Sequence, residues 1–295
     1  MFIKLEKGFT LIEILASVAI IALLAGITMI NFIEPQQSAN LAKLKSSWAI
    51  TEGKYIGNLV GKWTFDEGTG SVANDSTDSK NNGVISGATW VTTDKNCISG
   101  KCLSFDGVND HIDIPNSTVF DLQTLSISAW VYSTNYDQNG FIFEKGPVNT
   151  QYSFFFQTGS LIFRSYNTTP TIDDLSLTLS TAGITNSNWY YVVATYNGAN
   201  KIIYVNGVEK GRKAYAQTLK TGQSGETIGI YGLYDGYPFV GTIDEVSIYS
   251  GAITISQIRS DYLAGLDKLL AKNLITQTDY NQRIAEIEKN NVAEK

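Results

Sequence analysis

Hydrophobic and polar residues follow three regimes along the chain. A mostly apolar run extends from Phe9 to Ile33, interrupted by one charge at Glu13. Within it, Ile14 to Ile33 is twenty residues without a charge, the length a helix needs to cross the hydrocarbon core. Beyond it, Leu41, Leu44 and Trp48 fall on one helical face. Pro35 lacks a backbone donor and either kinks this helix or divides it in two.

From about Leu59 the period changes to short alternating segments between turn residues. VGKWTFD, KCLSFD, HIDI, LSISAWVYS, GFIFEK, YSFFFQ, LIFRSY, LSLTLS, WYYVVATY, KIIYV, TIGIYG and TIDEVSIY each read as a strand. Asn206-Gly207 is a type I′ hairpin turn, because both residues accept positive φ. Strands this close, with no helix between them, pair antiparallel, and at this length they pack as two sheets. No fixed-period repeat is present, against a propeller or solenoid. Thr254-x-x-Gln257 has capping-box spacing and begins a short helix. Past residue 265 the helical period returns. Leu266, Leu269 and Leu270 mark one short helix, Tyr280, Ile284 and Ile287 another, with Thr276-x-x-Asp279 as the cap between them.

Charge narrows the partners. The net charge is −6 and only 17% of residues are charged, which disfavours nucleic acid, whose phosphates demand clustered Lys and Arg. The 16 Tyr, 13 Phe and 5 Trp suit a sheet protein and also a surface that stacks on sugars. Two cysteines, Cys97 and Cys102, are too few for a four-ligand zinc site. A disulfide between them would add about 2 kcal/mol and imply an oxidising compartment; two separate thiols are the alternative.

A secretory signal would show a small-residue cleavage site after its apolar core, and none follows here. Instead GFTLIE (Gly8 to Glu13) resembles the class III signal of type IV pilins and type II secretion pseudopilins. That resemblance implies a prepilin peptidase as partner, cleavage between Gly8 and Phe9, and N-methylation of Phe9. It also implies lipid contact before assembly and packing against other pilin-like subunits afterwards. Glu13 would then pair with the amino group of a neighbouring subunit's Phe9, which answers the cost of a carboxylate in an apolar run. A glutamate snorkelling to the interface is the plainer alternative.

GKWTFDEGTGSVANDSTDSKNNGVISG, CISGKCLSFDGVNDHIDIP, LSISAWVY, NWYYVVATYNG, KIIYVNGV and GTIDEVSIYSGAI resemble, in order, LamG-like, concanavalin A-like jelly rolls. The resemblance implies a Cys97–Cys102 disulfide and a structural Ca²⁺, for which Asp66, Glu67, Asp244 and, more weakly, Asp75 are the candidates. Hard cations take several oxygens of this kind. Solvated or turn-capping carboxylates are the other reading. The fold expectation is a mainly β, two-sheet antiparallel jelly-roll sandwich with a long N-terminal hydrophobic helix and a short C-terminal helical tail. Its parts are a leader (1–8), an assembly helix (9–57), the jelly roll (58–264) and the tail (265–295).

Catalysis finds little support. The relatives' E-x-D-x-(x)-E pattern is missing, and Asp66-Glu67 and Asp244-Glu245 are adjacent pairs that a strand would point to opposite faces. His111, between Asp110 and Asp113, lacks a Gly-x-Ser-x-Gly elbow. No enzyme is expected. A ligand site, if one exists, falls on Tyr231, Tyr234, Asp235 and Tyr237, rings beside a carboxylate in a glycine-rich loop. The expected protein is membrane-anchored with an extracytoplasmic head, a minor pilin or adhesin on a surface filament that binds an extracellular glycan or protein. The alternatives are a structural pilus or pseudopilus subunit without a ligand, and an anchored glycoside hydrolase.

Overall fold

The computed structural model describes residues 10–22, 42, 46, 59–93, 96–146, 151–169, 171–222, 224–232 and 236–293. The leader, Gly8, Phe9, Pro35, residues 23–33, Leu41, Leu44, Trp48, Tyr234 and Asp235 lie outside them. The chain divides into two compact units, 1–50 and 51–295.

In the first unit, helix α1 covers residues 11–22. Glu13 Oε2 accepts from the backbone N–H and the hydroxyl of Thr10, both at 2.8 Å, and the Glu13 N–H donates back to Thr10 Oγ1 at 3.3 Å. This reciprocal cap starts the helix and gives Glu13 a partner within its own chain. Leu11, Ile12, Ile14, Leu15, Val18 and Ile21 are all more than half exposed. So continuous an apolar surface is a contact surface. Among the described residues no helix is long and apolar enough to cross a membrane.

Among the described residues the second unit holds sixteen strands in two eight-stranded sheets, every neighbouring pair antiparallel. The first sheet contains β1 (Leu59–Trp63), β4 (Thr89–Val91), β5 (Cys102–Asp106), β7 (Leu125–Ser133), β12 (Asn188–Tyr196), β13 (Asn200–Val205), β14 (Val208–Ala214) and β16 (Val240–Tyr249). Its order is β14-β13-β12-β7-β16-β5-β4, with β1 also on β16. The second contains β2 (Val72–Ala73), β3 (Gly83–Ser86), β6 (His111–Ile114), β8 (Gly140–Lys145), β9 (Tyr152–Gln157), β10 (Ser160–Tyr166), β11 (Ile172–Thr178) and β15 (Glu226–Ile228). Its order is β11-β10-β9-β8-β15-β6-β3-β2.

This is the expected jelly-roll sandwich, and each of the twelve alternating segments contributes a strand. The sequence reading passed over β2, β3 and β4, which are two to four residues long. The return strand of the Asn206-Gly207 hairpin is β14, whose VEKGRKA carries charge on both faces and lies at a sheet edge. The inward faces interdigitate through Trp63, Phe105, Phe143, Phe154, Tyr196 and Ile248, all at most 2% exposed. Asn206 and Gly207 turn the β13–β14 hairpin with φ of 52° and 76°, the I′ pair.

Helices α2 (Leu179–Ala182), α3 (Ile255–Ala271) and α4 (Gln277–Ala293) complete the described elements. Both predicted caps form. Thr254 Oγ1 accepts from Gln257 N, and Thr276 and Asp279 exchange side-chain-to-backbone bonds. Helix α3 runs unbroken through residue 264, where the sequence pattern suggested the jelly roll would end. Its buried face includes Ile258, Tyr262, Leu266 and Leu269. Tyr262 stacks on Trp130 of β7 with ring centroids 5.6 Å apart, and Gly265 lets the helix backbone approach that indole. A Cβ at Gly265 would sit 2.2 Å from the ring. The C-terminal helices therefore belong to the packed body of the sandwich.

Candidate functional site

Two regions collect the predicted site residues. The first is the disulfide corner. Cys97 and Cys102 are bonded and buried. The loop between them is fastened by carboxylates: Asp244 Oδ2 accepts from Ile98 N at 2.9 Å and Ser99 N at 3.3 Å, and Asp66 Oδ1 accepts from Lys101 N at 3.1 Å. From α3, Lys268 reaches Ser99 Oγ and from its end Lys272 reaches the Cys97 carbonyl. Burial pushes the Asp244 carboxyl well above the ordinary carboxylate range, and the Glu245 charge adds to the effect.

Asp75 lies in its own turn, where its two oxygens accept from Lys62 N, Thr77 N, Thr77 Oγ1 and Asn81 N. Glu67 Oε1 takes both nitrogens of Asn74. Asp66, Asp75 and Asp244 thus turn oxygens to backbone N–H groups, a positive lining that a cation does not favour. Among the described residues no group of three or more His, Cys, Asp or Glu is gathered to hold a metal. Asp66 and Asp244 meet at the disulfide loop, while Asp75 lies in a turn of its own. Glu67 Oε2 alone among the four candidates' oxygens is buried without a hydrogen-bond partner within the described residues.

The second region is the face of the second sheet turned away from the core. In the run Tyr152 to Phe156 alternate side chains must face opposite ways, so Phe154 and Phe156 join the core while Phe155 does not. Phe155 stacks flat on Phe141, centroids 4.4 Å apart and planes 1° apart. Tyr231 and Tyr237 flank Phe141 at 5.2 and 6.3 Å. The Tyr237 backbone has φ of 58°, and its side chain stays 44% exposed. A tyrosine in the left-handed region carries backbone strain.

A polar row borders these rings. Cross-strand register places Asp174, Arg164, Ser153, Glu144, Thr227 and Asp113 side by side over six strands. Arg164 sits 5.0 Å from the Phe155 centroid and grips Asp174 with two 2.8 Å bonds. Glu144 Oε2 accepts from Gly232 N at 2.8 Å, fixing the tyrosine loop to the sheet. The sequence reading named the loop tyrosines but not Phe141, Phe155, Arg164 or Glu144. The signal for Phe155 was present, since three consecutive phenylalanines on one strand cannot all face inward.

Lys145 Nζ contacts Glu226 Oε1 at 2.6 Å, with Asn116 and the Ser224 carbonyl beside it, and both members are about fully buried. Burial pushes the Glu226 carboxyl up to about 7, against the pull of Lys145. His111 touches the Asn109 carbonyl and Asp113 Oδ2, at 2.6 and 3.2 Å.

Residues 106–259, just over half of the chain, match the profile of the concanavalin A-like lectin/glucanases superfamily. Residues 3–29 match the prokaryotic N-terminal methylation motif. No curated protein matches. Among solved structures, the binding domain of Paraclostridial Mosquitocidal Protein 1 is similar with a TM-score of 0.57 and 17% identity, over 72% of this chain and 53% of that one. The botulinum neurotoxin serotype D binding domain has a TM-score of 0.55 and 14% identity, over 72% of this chain and 53% of that one. Domain 4 of AbnA, a GH43 extracellular arabinanase from Geobacillus stearothermophilus solved with arabinotriose, has a TM-score of 0.55 and 22% identity. It is matched over 70% of this chain and 98% of its own. The chain spans about half the length of the toxin binding domains it matches. At these identities the likeness establishes the fold.

Proposed function

The chain belongs to the concanavalin A-like lectin/glucanases superfamily and carries a prepilin-type methylation motif, and from these we propose a pilin-like surface subunit that displays a non-catalytic glycan-binding head. The observation that carries the reading is Tyr237, held at positive φ and exposed beside Phe141 and Tyr231. Aromatic faces offer large contact area at small entropic cost, and the partly exposed Arg164, paired with Asp174, is the polar group beside the rings, while Ser153, Glu144 and Thr227 of the same row are buried. The exposed apolar face of α1 supports insertion in lipid and then packing against sister helices. Prepilin peptidase is the processing partner, and the head lies outside the cell.

The test is a glycan array probed with the full chain in detergent, first with Ca²⁺ and then with chelator. Binding that Tyr237→Ala weakens about tenfold supports the reading. Silence on every glycan moves the protein to a structural pilus or pseudopilus subunit. Glycan turnover instead of capture would make it an anchored hydrolase.

A further inference from the structure

The opposite face of the molecule holds a cavity that the reading above does not use. Helices α3 and α4 cover one strip of the first sheet's outer face and leave the next strip open. There, cross-strand register sets Trp189, Tyr132, Thr242 and Ser104 in a single row over four strands. The Trp189 and Tyr132 rings lie 5.7 Å apart at 47°, two planes of a shallow trough. Leu274 and Ile275 of the α3–α4 turn form its lip, and Arg283 of α4 closes the side. The cavity measures about 470 Å³, within the usual span of small-molecule sites, about 300–1,000 Å³.

Its chemistry is one-sided. Rings and aliphatic carbons lie beside the hydroxyls of Ser104, Thr242 and Ser187 and the amides of Asn96 and Asn188. Among the described residues that line it, Arg283 is the single charge and no carboxylate is present. Arg283 is positioned by its Nη1, which donates to the Trp189 carbonyl at 3.2 Å. It also interacts with the Tyr262 hydroxyl; a guanidinium has five N–H donors, so donors remain beyond these two contacts to meet a carboxylate. We propose that this trough binds an acidic sugar at the end of a glycan chain, the ring against Tyr132 and Trp189, the hydroxyls on Ser104 and Thr242, the carboxylate on Arg283.

This site is independent of the aromatic face on the second sheet, so either can fail alone. The probe is a glucuronate-terminated disaccharide, compared with its methyl ester, which keeps the shape and removes the charge. Both are titrated by calorimetry into the full chain in detergent. The acid is expected to bind about tenfold more tightly than the ester, the worth of one charge-assisted contact. Arg283→Gln should abolish that preference, with an unchanged melting temperature as the check on folding. Thr242→Val is the second variant, should Arg283→Gln unfold, and is expected to weaken the acid without altering the fold. Equal affinity for acid and ester, a preference that survives these substitutions, or no binding of either probe would overturn the proposal.

Discussion

Asp244 on β16 accepts the backbone N–H of Ile98 at 2.9 Å, across 146 positions of sequence. One buried carboxylate thus joins the disulfide loop to a central strand. Because the same oxygen also serves Ser99, and Oδ1 serves Glu245 N, its loss strands three backbone donors. Asp244→Ala should cost about 2 kcal/mol or more of stability, read as a lower urea midpoint at unchanged slope. An unchanged midpoint would mean that the loop stands by itself on its disulfide.

The buried Glu226 carboxyl, raised from 4.5 to about 7, links stability to pH. The folded state then holds a proton that the unfolded state has released, so its contribution is complete below pH 4.5 and is lost as pH rises through 7. Urea midpoints measured between pH 4.5 and 7.5 should fall with rising pH. In Glu226→Gln that slope should flatten. A variant as steep as the parent would place the titration elsewhere.

Tyr237 separates stability from binding. Both Tyr237→Ala and Tyr237→Gly remove the exposed ring, and each should weaken glycan capture about tenfold. Only glycine accepts φ of 58° without strain, so Tyr237→Gly should be more stable than Tyr237→Ala by about 1 kcal/mol. Equal melting temperatures for the two would remove the strain argument.

The methylation motif over residues 3–29 predicts a mature chain beginning at N-methylated Phe9. Intact mass after co-expression with a prepilin peptidase measures this directly. Replacing Gly8 by valine should leave the chain starting at Met1. A parent chain that also keeps Met1 beside an active peptidase would undo the pilin reading.

The legible part of this fold was local. Alternation along LSISAWVYS or WYYVVATY depends on a period of two, and the caps at Thr254 and Thr276 on a spacing of three, so a short window suffices for each. The Thr10–Glu13 cap had the same spacing and was overlooked because Glu13 was read for a partner in another subunit. Relationships set by register were not legible. Nothing near Asp66 or Asp244 says that the loop at Ile98 to Lys101 will fold down on them, and without that loop they look like metal ligands. Trp189 and Tyr132 likewise carry no local mark of an outer face until pairing sets them side by side on one.

β1 is bonded along β16, and β16 lies between β5 and β7 rather than at a margin. Any pull on the segment before Leu59 is therefore delivered to the middle of the first sheet. A strand seated there yields only when a row of ladder bonds and the aromatic packing beneath Trp63 give way together. A load applied at Leu59 would thus meet the β1–β16 ladder and the packing of Trp63 on Phe120 before it met any other strand.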